Sequence, residues 1–339
     1  MNVAPGPTRV GLLGVGTVGG ALARLLDDRA DLLLAKALVR DPSKPRGLER
    51  SSAVLTTDPE EVLDAADVLV ETMGGTDLAV ELMLTALQRG RHVVTANKAA
   101  LAERWEAFLP ALEAGRLHIE AAVMAGTPAL QPLAGVLRGS APIELHAILN
   151  GTCSFVLGRL EQGVDYASAL AEAQRLGYAE ADPSLDVGGI DAAHKLAILA
   201  RLSFDPDLPW EAVRVRTHGI ERLTPGIVHE AMEDGGRVQL VGSIVPGADG
   251  WEARVRPVYL PAGHPLASAE EAQAALLYRG VGGRVLILGP GAGGVETATG
   301  VLGDLLDAAA GRPGPRPLAA AAPLPDDVVV DDLGELEPA

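Results

Sequence analysis

The chain has 339 residues, a length that suggests two domains, and is 48% hydrophobic but only 3% aromatic, so aliphatic side chains must build its core. A net charge of −17 argues against nucleic acid as a partner, because a phosphate backbone would be repelled. The single cysteine, Cys153, excludes an intramolecular disulfide and suits a reducing compartment, and no apolar run reaches the ~18 residues that a membrane span needs.

Arg9–Leu13 reads as a short apolar strand. The run Gly14-Val15-Gly16-Thr17-Val18-Gly19 follows directly, and Val18–Leu26 reads as a helix. A GxGxxG run between a strand and a helix lets the backbone approach a pyrophosphate, which rests on the helix N-terminus. Gly14, Gly16, Thr17, Val18 and Gly19 are therefore candidate cofactor-binding residues. A second strand fits Leu32–Val39, and its end separates NAD from NADP binders. Arg40 stands where an NAD binder carries an acid, with Lys44 close behind; this favours NADP, while Asp41 one residue on keeps NAD open.

Strands at Val54–Leu55 and Val68–Glu71 flank a helix at Pro59–Ala65, and a helix at Asp77–Gln88 leads to a strand at His92–Thr95. Thr95-Ala96-Asn97-Lys98 ends that strand. Ligands of open α/β sheets bind outside the carboxyl ends of the strands, so Thr95 and Lys98 are expected beside the nicotinamide. A helix over Arg104–Ala114 and a strand over Leu117–Glu120 continue the alternation, which predicts an α/β fold with a Rossmann-like doubly wound parallel sheet over residues 1–127.

Near Thr127-Pro128 the pattern changes. Ile143–Leu149, Val238–Val245 and Ala253–Tyr259 read as longer, partly alternating strands, with helices at Tyr166–Leu176 and Ile190–Leu202. They predict an α+β substrate and dimerisation domain over 128–289. A second glycine-rich run, Gly289–Gly294, is followed by too little chain for another sheet. Residues 290–311 are expected to return to the first domain, with Val295–Ala309 packing there. From Arg312 the composition is Pro/Ala-rich, then acidic, and reads as a disordered or loosely attached tail over 312–339.

The stretch Gly177–Leu199, GYAEADPSLDVGGIDAAHKLAIL, carries the strongest chemical signal. Asp191 and Lys195 lie four residues apart and share one face of a helix that is otherwise almost wholly apolar. Buried charges need a reason to be there. Only four of the 28 basic residues are lysines, namely Lys36, Lys44, Lys98 and Lys195. A lysine can be tuned to release its proton, and an arginine cannot. His194 points about 100° away from that face and suits packing. Glu180, Asp182 and Asp186 can be read as hard oxygen ligands of a metal or as partners of a substrate ammonium; their spacing does not decide. Cys153 reads as a small buried residue.

The chain resembles the homoserine dehydrogenases from about Arg9 to about Ala310. The resemblance rests on GVGTVG, TANK at Thr95–Lys98, EAAVMAGTP at Glu120–Pro128, NGT at Asn150–Thr152, the long Gly177–Leu199 motif and GPGAG at Gly289–Gly293. It implies NAD(P)-dependent interconversion of L-homoserine and L-aspartate 4-semialdehyde, in threonine, methionine and isoleucine biosynthesis. It further implies that Glu180, Asp186 and Asp191 bind substrate, that Lys195 donates the proton and that Lys98 is a second lysine at the reacting centre. Gly177 and Gly293 would approach the cofactor. Glu120, Val123, Ala125 and Thr127 would offer backbone carbonyls to a monovalent cation, Na or K. A homodimer in the cytoplasm is expected; the N-terminus shows no signal-peptide pattern. Many relatives carry a further regulatory domain, and the short segment after Gly311 predicts no threonine control through one. Two rival readings remain at this stage: another two-domain dehydrogenase of a small amino-acid-derived alcohol or aldehyde, and a non-catalytic nucleotide-binding regulator. The Asp191/Lys195 pair argues against the regulator.

Overall fold

Short aliphatic strands joined by helices run through the first part of the chain. They are β1 (Thr8–Leu13), α1 (Thr17–Asp27), β2 (Leu32–Leu38), β3 (Leu55–Thr56), α2 (Pro59–Ala65) and β4 (Val68–Glu71). Then come α3 (Leu78–Gln88), β5 (His92–Thr95), α4 (Lys98–Glu103), α5 (Trp105–Glu113), β6 (Leu117–His118) and α6 (Ala121–Met124). The six strands pair in parallel in the order β3-β2-β1-β4-β5-β6, the Rossmann-like doubly wound arrangement. The order reverses between β1 and β4, so the crevice opens at the carboxyl ends of those strands. This computed structural model describes residues 6–46, 54–232, 235–248, 250–270, 273–319, 331 and 333–336.

The chain divides into two compact units, Met1–Gln131 with Gly293–Arg316, and Pro132–Ala292 with Pro317–Ala339. The second begins around α7 (Leu130–Ala134) and continues through β7 (Pro142–Ile148), α8 (Gly151–Glu161), α9 (Tyr166–Leu176), α10 (Ser184–Val187) and α11 (Ile190–Ser203). After α12 (Trp210–Arg214) and α13 (Pro225–Ala231) come β8 (Arg237–Gly247), β9 (Gly250–Leu260), β10 (Gln273–Gly280) and β11 (Gly283–Pro290). α14 (Gly294–Ala309) belongs to the first unit, and β12 (Gly334–Glu335) ends the second. The second sheet is antiparallel, in the order β11-β10-β7-β8-β9-β12. α11 packs on it closely enough that a side chain at Gly242 would press on Leu196. Every α11 residue from Asp191 to Ser203 is buried, as its apolar composition requires.

Three differences from the sequence reading have local causes. Lys98 begins a helix, because the Asn97 side chain accepts from the Ala100 N–H and caps it. The strand expected over Leu117–Glu120 stops at His118, and α6 takes its place. The segment after Arg312 is held down wherever it is described. The Gly314 N–H donates to the Gly115 carbonyl, and that of Leu318 to the Leu202 carbonyl. Leu333 is buried, and β12 pairs with β9. The Asp331 N–H donates to Glu144 Oε2 at 2.7 Å, and Arg284 pairs with the Asp331 carboxylate at 2.7 Å. Gly314, Leu318, Asp331 and Leu333, with β12, thus anchor a segment whose average composition reads as loose. Residues 320–330, 332 and 337–339 of that stretch lie outside the described residues.

Candidate active site

In the first unit the glycine run does three separate jobs. Gly14 has φ +92°, and a Cβ there would lie 2.9 Å from the Met73 Cα. Gly19 sits against Gly14 and Thr72 with no room for a side chain. Gly16 has open space before it and caps α1 with no side-chain hydrogen bond, so the first N–H groups of α1 face the cleft. That is a cradle for an anionic phosphate, and a Cβ at Gly16 would project into it. Val18 is half-buried in the first turn of the helix, and Thr17 packs beside Gly294 at the start of α14. Gly293 is the N-cap of α14 at φ +129°.

A cleft of about 1160 Å³ runs from this turn past the end of β2. Arg24, Arg40, Lys44 and Arg46 line it, together with Asp41. The Asp41 carboxylate accepts from the Ser43 N–H at 2.9 Å and the Ser43 hydroxyl at 2.6 Å, and these bonds lower its pKa. The acid that kept NAD open is thus engaged by its own turn, among four cationic side chains. Thr95 is fully buried, and its hydroxyl donates to Glu71 rather than to the cleft. Lys98, half-buried, is the first residue of α4.

In the second unit Lys195 Nζ donates to Asp191 Oδ2 at 2.9 Å and to the Leu149 carbonyl at 2.7 Å. The two residues are 8% and 9% exposed, so the ion pair is not an ordinary surface bridge. Asn150 Nδ2 donates to Asp186 Oδ1 at 2.8 Å and to Asp191 Oδ2 at 3.0 Å, and Asn150 Oδ1 caps α8 at the Cys153 N–H. The fold therefore gathers Asp186, Asp191 and Lys195 around Asn150. Glu180 stands exposed on the loop, where its carbonyl accepts from Gln174 Nε2 at 3.1 Å. Asp182, also exposed, caps the Ser184 N–H. Among the described residues no group of three or more His, Cys, Asp or Glu is placed to hold a metal ion, so the metal reading of Glu180, Asp182 and Asp186 finds no ligand set. Gly177 ends α9 at φ +82°, a local reason for glycine there. His194 stacks on Trp210, with centroids 4.7 Å apart. Cys153 is fully buried, and burial pushes its thiol pKa well up.

The loop proposed for a cation lies in the first unit. The Glu120 carboxylate is consumed by the N–H groups of Ala129, Leu130 and Gln131, so only its carbonyl is left to offer. Ala125, at φ +53°, is the one non-glycine with positive φ among the described residues. Such strain persists only when the surroundings impose it, and it re-aims the peptide groups of the loop. Val123 and Thr127 are buried on either side. Asn150 and Glu71 were the residues that sequence reasoning passed over. Their signals were present: an Asn before a helix, and an acid ending an apolar strand.

A family model described as "Homoserine dehydrogenase, NAD binding domain" matches residues 14–122, and one described as "Homoserine dehydrogenase" matches residues 128–306. The homoserine dehydrogenase of Bacillus subtilis is 37% identical over 313 residues, 88% of this chain and 72% of the relative. That of Corynebacterium glutamicum is 38% identical over 321 residues, 88% of this chain and 71% of the relative. The crystal structure of a homoserine dehydrogenase from Thiobacillus denitrificans superposes with a TM-score of 0.81 at 37% identity, covering 89% of this chain and 73% of that one. A hyperthermophilic archaeal homoserine dehydrogenase in complex with NADPH gives 0.76 at 27% identity, covering 91% and 100%. The nucleotide cradle in one unit and the buried lysine–carboxylate pair in the other thus fall within regions matched as a whole, and the chain belongs to the homoserine dehydrogenase family.

Proposed function

We propose that this protein interconverts L-homoserine and L-aspartate 4-semialdehyde, within threonine, methionine and isoleucine biosynthesis, with NADP as the preferred nicotinamide and NAD as the weaker one. The observation that carries the reading is the buried Lys195 Nζ, held by Asp191 and the Leu149 carbonyl beside the Asn150-linked Asp186. When bound, the nicotinamide would supply the hydride chemistry that links the aldehyde and the alcohol. Lys195 passes its proton to the oxygen that becomes the alcohol, and recovers one in the reverse direction. Asp191 orients the Nζ group. Asp186, with Glu180 from the loop, holds the substrate ammonium, and Lys98 is the second lysine at the carbonyl oxygen.

Gly14, Gly16, Thr17, Val18 and Gly19 would hold the pyrophosphate; Gly293, Thr95 and, from the second unit, Gly177 are the further proposed cofactor residues. Arg40 would take the 2′-phosphate, supported by the basic lining of the cleft. The carbonyls of Glu120, Val123, Ala125 and Thr127 would hold Na or K; the strained Ala125 backbone supports a built loop there. A homodimer through the second unit is supported by β11, an edge strand that leaves Leu286 39% and Leu288 41% exposed. The deciding experiment is a turnover assay with homoserine and NADP or NAD, scored by reduced nicotinamide. Binding of nucleotide without turnover of homoserine would favour the non-catalytic regulator, and turnover of a different amino alcohol would favour another dehydrogenase.

A further inference from the structure

We propose that Glu71 is a positioning residue that locks the phosphate turn, the loop after β4 and the end of β5 into one arrangement; this rests on the reading of the cleft at that turn as the NAD(P) site. Glu71 closes β4 and is fully buried. Its Oε1 accepts from the N–H groups of Met73 and Gly74, both at 2.8 Å. Its Oε2 accepts from the Thr95 hydroxyl at 2.7 Å. Thr95 Oγ1 accepts from the Asn97 N–H at 3.0 Å, and Asn97 Nδ2 donates to the Gly75 carbonyl at 2.8 Å. The hydrogen bonds thus close a ring. It ties the loop after β4 to the end of β5, and Lys98 is the next residue of that chain.

The same loop bears on the phosphate turn. Met73 lies against Gly14 with no space for a Cβ, and the Thr72 hydroxyl donates to the Gly14 carbonyl at 3.0 Å. Thr72 and Met73 both line the cleft. Gly74 and Gly75 take φ of +73° and +84°, left-handed conformations that glycine adopts without strain, between the Gly74 N–H on Glu71 and the Gly75 carbonyl on Asn97. The other β4 residues, Val68, Leu69 and Val70, are buried aliphatics. An apolar residue would suit position 71 equally well by burial alone, and a buried carboxylate is tolerated only when its hydrogen bonds are complete. Bonds to a carboxylate are shorter and stronger than neutral ones, so they fix the loop more tightly. The consequence is that Glu71 sets the distance between the phosphate cradle and the Lys98 helix without touching cofactor or substrate itself.

The test uses Glu71→Gln and Glu71→Ala in the full chain. The glutamine keeps an acceptor for Met73 and Gly74 but presents N–H to the Thr95 hydroxyl; the alanine removes every link. NADPH affinity is read by fluorescence titration without substrate, kcat and homoserine KM at saturating cofactor, and folding by thermal melts. The expected result for Glu71→Gln is an NADPH dissociation constant raised about fivefold and kcat lowered about tenfold, with homoserine KM and melting temperature nearly unchanged; the alanine goes further in the same direction. A folded Glu71→Gln with wild-type NADPH affinity and kcat overturns the proposal, as does a rise in homoserine KM with no cofactor effect. Should Glu71→Gln fail to fold, Thr95→Val cuts the same ring from the other side and is judged by the same split. If the wild type binds NADPH but does not oxidise homoserine, the proposed activity falls while the binding titration still decides the role of Glu71.

Discussion

The turn at Gly14–Gly19 and the cluster around Lys195 both meet charge, but with opposite materials. The first unit offers backbone N–H groups at an uncapped helix end, in an open cleft with exposed cations along its wall. The second offers largely buried side chains, each with two or more hydrogen-bond partners. A backbone site survives the loss of most single side chains, because its donors belong to the main chain. A side-chain site in low dielectric does not, because every deletion leaves a buried partner unpaired. Substitutions around Lys195 should therefore reach kcat, and those of the exposed side chains along the first unit's cleft should mostly move cofactor affinity.

The largest effect is expected at Lys195. Lys195→Arg keeps the charge and loses a transferable proton, so kcat should fall by roughly 10²–10⁴-fold with cofactor binding little changed. Run beside it, Lys98→Arg ranks the two lysines; near-normal kcat in the first and none in the second would reverse their roles.

The units should also separate in acid. His118 and His92 share a hydrogen bond of 3.1 Å between β6 and β5. Burial first, and the charge of His92 second, lower His118 from its ordinary 6.5 to about 4. The fold favours the neutral ring, so the unfolded chain takes up this proton first, and the His118 share of stability falls as pH drops from 6.5 to 4, against buried Asp304, whose carboxyl is raised to about 8 and adds stability as pH falls below that value. The loss should reach roughly 3 kcal/mol at the lower limit. In the second unit, burial raises the Glu144 carboxyl, but hydrogen bonds from His146, the Asp331 N–H and Arg279 outweigh it and bring its pKa from 4.5 to about 2. Its contribution is complete above 4.5 and is lost only as pH falls toward 2. Thermal melts of parent and variant should therefore be compared pH by pH, and His118→Gln should gain stability relative to the parent as pH drops from 6.5 to 4. An unchanged slope between 6.5 and 4 in that variant would rule out His118 as the cause.

A smaller effect is expected at Asn150. Asn150→Ala removes donors from Asp186 and Asp191 together, so kcat/KM for homoserine should drop about 10- to 100-fold while NADPH affinity holds. Equal losses in both would mean that the second unit has been disordered rather than its site. The smallest is at Arg40, one exposed cation among four. Arg40→Ala should reduce the NADP-to-NAD preference by about tenfold at most, read from KM for both cofactors. No change at all would pass the role to Arg24, Lys44 or Arg46.

The first sheet was legible because its information is local. β4, β5 and α2 begin and end at the residues their apolar runs and caps predict, and the glycine run sits between β1 and α1 as expected. The pairing of Asp191 with Lys195 was equally legible, since four residues on a helix place two side chains on one face. Asn150 and Glu71 were legible only as a helix cap and a strand end, because the partners that give them a role, Asp191 and Thr95, lie 41 and 24 residues away and only the packing of separate elements brings them together. The anchoring of Asp331 on Glu144 spans 187 residues, and no reading of a Pro-rich acidic segment contains it. Sequence periodicity by itself determined which faces are apolar, where helices start and which residue types could do chemistry. The tertiary structure alone decided which buried polar groups meet, because a hydrogen bond depends on distance in space and the chain's local pattern carries no term for it.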